Sequence, residues 1–368
     1  MKDLLYKIAI TQIPMVGAVT AKTLISYCGS ARGVFEARKR ELVRIPGIGE
    51  RTAESIVKQR ILSVAEEEIA FLERYQIQPL FYLDKAYPSR LSVYADCPLM
   101  LYYKGNADLN APRIAAIVGT RRPTAHGVAI CEELVNGLND YGAIVVSGLA
   151  LGIDAAAHRK CVEIDLPTIG VLGHGLRHIY PQQHHALAER MLACGGLLTE
   201  HISTAQPDKE HFPMRNRIIA GMCDALIVVE TGKKGGSMIT AQFADSYNKD
   251  VFSVPGRPGD RNAEGCNHLI KSNKAALIEN AADLAYLMRW ESATPLQPRQ
   301  TTLFVELSPE EKIIVDLLNS YDMLSIDQLM VATDKTGSQL AAHLLSLECK
   351  GVLRTLPGKR YMLVSKAT

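Results

Sequence analysis

The sequence predicts an α/β fold: a mainly parallel sheet covered by helices on both faces, set between a helical front segment and a winged-helix end. Three observations carry this. Between residues 113 and 290, short apolar runs alternate with helical stretches. Ahead of them, two copies of the pattern h-P-x-h-G-x-x-x-A read as paired helical hairpins. After them, the last sixty or so residues read as three helices and a hairpin, about the size of one small domain. The expected division of the 368 residues is 1–65 helix-hairpin-helix-like, 66–112 a connector leading into the core, 113–290 the sheet domain, 291–306 a linker, and 307–368 a winged helix.

The front pattern occurs in Ile13-Pro-Met-Val-Gly-Ala-Val-Thr-Ala-Lys-Thr-Leu24 and again in Ile45-Pro-Gly-Ile-Gly-Glu-Arg-Thr-Ala-Glu-Ser-Ile56. Gly47 and Gly49 permit a tight turn whose amides, at a helix N-terminus, can face a phosphate. Residues 1–60 hold eleven Lys/Arg against five Asp/Glu, which suits phosphate contact. A packing hairpin with a solvated basic surface fits the same residues, and both readings stay open. In 66–112, the run Asp96-Cys-Pro-Leu-Met-Leu-Tyr-Tyr-Lys-Gly105 suggests a strand entering the core.

Strands are expected at 114–118, 143–146, 168–172, 196–199, 225–229 and 251–254. Their near-continuous apolar character is that of strands buried on both faces. Such sheets bind ligands at the carboxyl ends of their strands, where this chain places its glycines and polar residues. Gly119 and Arg121 follow the first strand, and a guanidinium offers a planar fork of donors suited to phosphate. Ser147, Gly148 and Gly152 form a small-residue loop into a helix N-terminus, with Asp154 in its first turn. Asp154 reads as a cap and His158 as a packed histidine. Gly235, Gly236, Ser237 and Thr240 make a second glycine-rich strand-to-helix loop, beside Lys233 and Lys234. Between them runs Pro207-Asp-Lys-Glu-His-Phe-Pro-Met-Arg-Asn-Arg-Ile-Ile-Ala-Gly221. Its cations Lys209, Arg215 and Arg217 with the ring of Phe212 suit a single strand held by phosphate contact and stacking. Arg215, Asn216 and Arg217 equally suit bracing the loop through backbone carbonyls; both readings stay open together, with Lys209 and Phe212 the better contacts.

In the last segment Ser308-Pro-Glu-Glu311 starts a helix with a capping box. Ser325 starts the second helix. Leu340, Leu344, Leu345 and Leu347 stripe the third. A hairpin turns at Pro357-Gly358, and Arg354, Lys359 and Arg360 fall on the expected wing. Seven charges of each sign in this segment leave protein contact and DNA contact both open.

Several classes are disfavoured. The glycine spacing is neither the dinucleotide fingerprint nor a P-loop. His174, His178, His184 and His185 match no usual zinc spacing, so no metal site is expected. Eight cysteines stand singly, which predicts a reducing, cytoplasmic setting. No apolar run approaches the roughly 20 residues that span a bilayer, and the start lacks the features of a signal peptide. No membrane association is expected.

One ordered set is specific: Val-Gly-Thr-Arg, Ser-Gly-Leu-Ala-Leu-Gly-Ile-Asp, Tyr-Pro, Phe-Pro-x-Arg-Asn-Arg-Ile-Ile-Ala-Gly, Gly-Ser-Met-Ile-Thr-Ala, Val-Pro-Gly and Gly-x-Asn-x-Leu-Ile. It resembles the DNA-processing protein A (DprA/Smf) family over residues 112–285, and the front and back segments resemble that family's extensions. The resemblance implies an extended Rossmann-like sheet with an N-terminal helix-hairpin-helix (SAM-like) domain and a C-terminal winged helix. It implies a homodimer through the Rossmann-like domain that binds single-stranded DNA without sequence preference. It further implies loading of RecA recombinase during natural transformation, with no catalytic residue and no cofactor. By motif position the implied DNA contacts are Arg121, Ser147, Gly148, Gly152, Lys209, Phe212 and Arg215, with Gly236, Ser237 and Thr240 nearby.

The chief rival is a Rossmann-like nucleotide hydrolase of the phosphoribohydrolase kind. Its P-G-G-x-G-T-x-x-E motif would place a glutamate after the glycines, and here Gly-Lys-Lys-Gly-Gly-Ser-Met-Ile-Thr-Ala has none in that place. A transcription regulator would rest on the winged helix alone, whose balanced charge argues against it.

Overall fold

Apolar residues recurring every three or four positions make the front of the chain helical. The computed structural model describes residues 2–58, 61–292, 307–321, 323–333, 335–350, 352–356 and 360–363. It divides into two units, Met1–Pro295 and Leu296–Thr368. The first unit opens with α1 (Lys2–Thr11), α2 (Ala18–Cys28), α3 (Ala31–Glu36), α4 (Lys39–Leu42), α5 (Glu50–Lys58) and α6 (Leu62–Tyr75). Ile8, Ile10, Leu24, Leu42 and Ile56 lie in the core of this helical front. The two hairpin turns join α1 to α2 and α4 to α5. Their matching third positions, Met15 and Gly47, both take positive φ, 66° and 81°. Glycine does this freely; methionine holds it against steric cost.

The chain continues through β1 (Gln78–Phe81), α7 (Ser89–Ser92), β2 (Met100–Gly105), β3 (Ile114–Val118), α8 (Ala125–Asn139), β4 (Ile144–Ser147) and α9 (Ile153–Glu163). Next come β5 (Thr168–Leu172), α10 (His185–Cys194), β6 (Gly196–Thr199), α11 (His211–Met222), β7 (Ala225–Val228) and α12 (Gly236–Ser246). The unit ends with β8 (Asp250–Ser253), α13 (Glu264–Lys271), β9 (Ala276–Leu277) and α14 (Ala281–Met288). One sheet holds the strands in the order β1-β2-β6-β5-β4-β3-β7-β8-β9. From β6 through β9 it is parallel, while β2 runs antiparallel to β6 and β1 to β2.

Residues 66–112 therefore do more than connect. Met100–Tyr103 are buried on the sheet, and a buried backbone must find ladder partners, so the stretch becomes two strands of the core. Its other attachment is Glu68, buried on α6, whose carboxylate accepts from the amide of Ser203 at 2.9 Å and from its hydroxyl at 2.6 Å.

Ile114–Val118 are all buried because both faces of β3 are covered. Leu134, Val135 and Leu138 of α8, Ala156 and Cys161 of α9 and Leu284 of α14 pack on one face. Ile218, Ile219 and Met222 of α11 with Ala241 and Ala244 of α12 pack on the other. Each such aliphatic burial is worth roughly 1.5–3 kcal/mol for the larger side chains. β3 is flanked by β4 and β7. The chain builds β4, β5 and β6 on one side, then returns through α11 to start β7 on the other. This reversal opens a crevice at the carboxyl ends of β3 and β7.

The second unit contains α15 (Pro309–Ser320), β10 (Leu324–Ser325), α16 (Ile326–Thr333), α17 (Gly337–Cys349), β11 (Leu353–Leu356) and β12 (Arg360–Leu363). Its sheet order is β10-β12-β11, antiparallel throughout. Ser308 and Glu311 close the capping box, and Ser325 caps α16 through the amide of Gln328. Leu340, Leu344 and Leu347 are buried, whereas Leu345 is 61% exposed, since a residue one step from Leu344 faces another side of the helix. Pro357, Gly358 and Lys359 lie outside the described residues, as do 293–306 of the expected linker. No helix of the described residues is long and apolar enough to cross a membrane.

Candidate nucleic-acid interface

The crevice at the β3–β7 switch is a cleft of about 660 Å3. Its walls come from the loop after β3, the loop before α9, the start of α11 and the loop into α12.

Arg121 stands on the first wall with its side chain exposed. The loop that carries it is fixed at Thr120 from two sides. Thr120 donates its amide to the carbonyl of Glu230 at 2.6 Å and accepts the amide of Ile153 at 3.2 Å. Gly152 makes the close approach possible, with φ 84°; a Cβ there would lie 2.2 Å from the carbonyl oxygen of Thr120 and 2.7 Å from Cα of Arg121. Glycine at 152 thus shapes the ledge from which Arg121 projects.

The loop before α9 departs from the sequence reading. Ser147 is fully buried and donates its hydroxyl to the carbonyl of Ile117 at 2.5 Å. Gly148 is buried, and its amide points at Oδ2 of Asp154 at 3.1 Å, as does that of Ala150 at 3.4 Å. Two of the loop's amides are thus occupied by the chain's own carboxylate, and Ser147 and Gly148 anchor the wall instead of facing a ligand. Burial raises the Asp154 pKa, opposed by the charge of Arg215 and by these amides.

Arg215 takes the bracing role that the sequence held open. It is 5% exposed, and its Nη1 donates to the carbonyls of Gly148 and Val171. Burial pulls its pKa down to about 10, which leaves it charged at neutral pH. It braces the cleft from behind. Arg217 is likewise buried, paired with Glu200.

Lys209 and Phe212 are placed differently. Asp208 caps the turn ahead of α11, accepting the amide of Glu210 at 2.9 Å, and Lys209 is exposed on that turn. Phe212 is half-buried above Gly173, where a Cβ would come within 3.0 Å of its ring. Tyr180, 51% exposed, adds a second ring 5.6 Å from that of Phe212, tilted by 34°. The sequence offered Tyr180 only as part of the Tyr-Pro step in the motif set; its sequence position, 32 residues from Phe212, concealed the pairing. Among the described residues neither Arg121 nor Lys209 is paired with a carboxylate.

The last wall is the N-terminus of α12. Gly235 is its N-cap, without a side-chain cap, and Gly236 is exposed. Ser237 and Thr240 are buried; Ser237 donates its hydroxyl to Oγ1 of Thr231 at 2.7 Å, and Thr240 still borders the cleft. Their hydroxyls are less available than the sequence suggested. Asn216 holds the carbonyl of Gly236 at 3.4 Å. Lys233 and Lys234 are exposed and stand outside the cleft wall. By contrast, the N-terminus of α8 is filled by Glu230, which accepts from the amide of Thr124 at 2.9 Å and its hydroxyl at 2.6 Å. Internal carboxylates therefore occupy two anion sites at this sheet edge and leave the first turn of α12 open to an outside anion.

The histidines have internal roles. Thr168 gives its one hydroxyl proton to the carbonyl of Val145, so it accepts from Nδ1 of His158 at 2.7 Å. His174 and His184 bond the carbonyls of Gly175 and Leu149. Among the described residues no three His, Cys, Asp or Glu side chains are grouped to hold a metal ion.

Comparison with known proteins agrees with this architecture. Residues 78–289 match the model of the DNA recombination-mediator protein A family. Residues 8–60 match a SAM-like helix-hairpin-helix tandem, and 297–359 the DprA winged helix domain. Protein Smf of Synechocystis sp. is 33% identical, covering 97% of this chain and 98% of that protein. DNA processing protein DprA of Streptococcus pneumoniae is 40% identical over 55% of this chain and 71% of that protein. The crystal structure of DprA from S. pneumoniae superposes with a TM-score of 0.63 at 31% identity, over 78% of this chain and 97% of that one. DNA processing protein A from Helicobacter pylori, described for its single-stranded DNA binding mode, gives 0.54 at 31% identity, over 59% and 98%. A family match across more than half the chain and a relative aligned nearly end to end place this chain in the DNA recombination-mediator protein A family, the DprA/Smf proteins.

Proposed function

We propose that this chain binds single-stranded DNA in the β3–β7 cleft. One observation carries the reading: two exposed cations without carboxylate partners, Arg121 and Lys209, border the same cleft as the rings of Phe212 and Tyr180 and the open first turn of α12. Phosphates sit against the two cations and the amides at Gly236 and Ser237, while a base stacks on Phe212. Phosphate groups and base faces are common to every nucleotide, so the binding has no sequence preference. The reading is of binding without turnover, because Asp154 and Glu230 are already engaged by backbone amides and hydroxyls. The H. pylori relative described for its single-stranded DNA binding mode supports the ligand class.

The wider role proposed is handling of incoming DNA during natural transformation, in the cytoplasm, as a homodimer through the Rossmann-like domain that loads RecA. Family membership supports it. The primary test is a salt titration with a labelled oligonucleotide, single-stranded beside duplex, for the parent and Lys209→Ala. A single-strand preference lost with the lysine is expected; equal or absent binding overturns the reading. Sedimentation tests the dimer, and the rate of RecA filament growth on a single strand, with and without the chain, tests loading.

A further inference from the structure

A second cleft, about 760 Å3, opens inside the first unit, between the first hairpin and the β6–α11 edge of the sheet. On one wall α2 begins. Its N-cap Gly17 has extended backbone, and no side chain caps the helix. The first-turn amides of Ala18, Val19 and Thr20 therefore lack intrahelical acceptors and carry the positive end of the helix dipole.

The facing wall holds Arg217, His201 and His211. Arg217 is 6% exposed. Its Nη2 pairs with Glu200, and its Nη1 has no partner among the described residues. The two imidazoles stack with 4.2 Å between ring centroids. Nε2 of His201 and Nδ1 of His211 are also buried without partners. The carboxylates that border this cleft are both engaged: Glu200 with Arg217, and Asp96 with the hydroxyl of Tyr247 at 2.6 Å. The unpartnered side-chain atoms of the Arg217–His201–His211 wall are all nitrogens, the Arg217 Nη1 a donor and the two imidazole nitrogens able to donate. Such a lining selects a ligand rich in acceptors and negative charge.

We propose that this cleft is a second phosphate-binding site, clasping a phosphate ester between the first turn of α2 and the Arg217–His201–His211 wall. Its position suggests the source. Phe212 borders the first cleft and His211 borders this one, so the start of α11 separates the two. A strand stacked on Phe212 reaches the second cleft by crossing that helix start. The nucleic-acid source rests on the proposed function above; the phosphate site itself does not.

Val19 is 55% exposed in the first turn of α2, where an acidic residue suits the helix dipole. Val19→Glu thus keeps the fold and sets a negative charge against the site, with Val19→Gln as neutral control. Inorganic phosphate, titrated into the full chain, is followed by the ring ¹H–¹⁵N resonances of His201 and His211. Both shift in the parent and in Val19→Gln, and Val19→Glu needs about tenfold more phosphate for the same shift. In parallel, oligonucleotides of increasing length are titrated. A loss of affinity in Val19→Glu confined to the longer ones assigns the site to the strand backbone. Phosphate shifts without any length effect assign it to a free phosphate ester. If neither histidine responds to phosphate and Val19→Glu binds all lengths as the parent does, the proposal is wrong. Histidine shifts in a parent that binds no single strand would instead refute the proposed function and leave this site standing.

Discussion

Arg215 donates from Nη1 to the carbonyl of Gly148 at 2.6 Å, and the glycine permits the approach, since a Cβ there would lie 2.6 Å from that same nitrogen. The contact ties α11 to the end of β4. Gly148→Ala is expected to lower stability by ~1–3 kcal/mol through overpacking. It also weakens strand binding, although residue 148 is buried. Urea denaturation and oligonucleotide titration check this; a variant as stable as the parent would mean that the guanidinium moves aside freely.

Arg121 and Lys209 are exposed, so replacing either by alanine leaves stability within about 0.5 kcal/mol. Each change weakens binding to all single-stranded sequences alike. Each also flattens the slope of log affinity against log salt by ~0.7 for every phosphate that the side chain neutralised. Titrations at several salt concentrations with two unrelated sequences read both effects. A sequence-dependent loss would contradict the assignment.

Phe212→Ala is expected to cost ~1–3 kcal/mol of strand affinity if a base stacks on the ring. Phe212→Leu, which keeps bulk over Gly173 but removes the aromatic face, shows a similar loss. Full affinity in the leucine variant would reduce Phe212 to packing.

Burial, and after it the neighbouring histidine and arginine side chains, lower the pKa of His158 to about 3 and of His201 to about 4. Both rings stay neutral in the fold, while the unfolded chain protonates them near the ordinary value of 6.5. The unfolded state therefore binds more protons as pH falls below 6.5, and the fold loses stability. The limit is about 1.4 kcal/mol per pH unit for each ring. Urea midpoints at about pH 7.5 and about pH 5.5 measure this. His158→Gln lowers stability at neutral pH but has a shallower acid slope; an unchanged slope would show that His158 titrates normally.

Glu311 behaves in the opposite sense. Its bond from Lys350 at 2.7 Å, then those from Ser346 and the Ser308 amide, hold its pKa down to about 2 against the ordinary 4.5. The ion pair supports the winged helix above pH 4.5 and fails as pH falls from 4.5 toward 2. Glu311→Gln is less stable at neutral pH and loses that acid step. Circular dichroism of the full chain, followed with acidification, would refute this by showing the same step in both.

The sequence by itself determined the α/β class, the hairpin tandem, the winged helix and the family. Each of these is written in local periodicity, turn glycines or motif order, which need no distant partner. The apolar runs at 114–118 and 168–172 and the Ser308–Glu311 box all stand where that periodicity put them. Only tertiary structure decided how the polar residues of the motifs are used. Arginine, serine and glycine at a strand end suit an outside phosphate or an inside carbonyl equally well, and burial chooses between them. Thus Arg121 and Arg215, both cations of the same edge, part company: one projects from the ledge set by Gly152, the other is sealed behind Gly148. The same holds for Tyr180 beside Phe212 and for the pairing of the expected strand at 100–105 with β6, because a partner brought from far along the chain leaves no trace in local spacing.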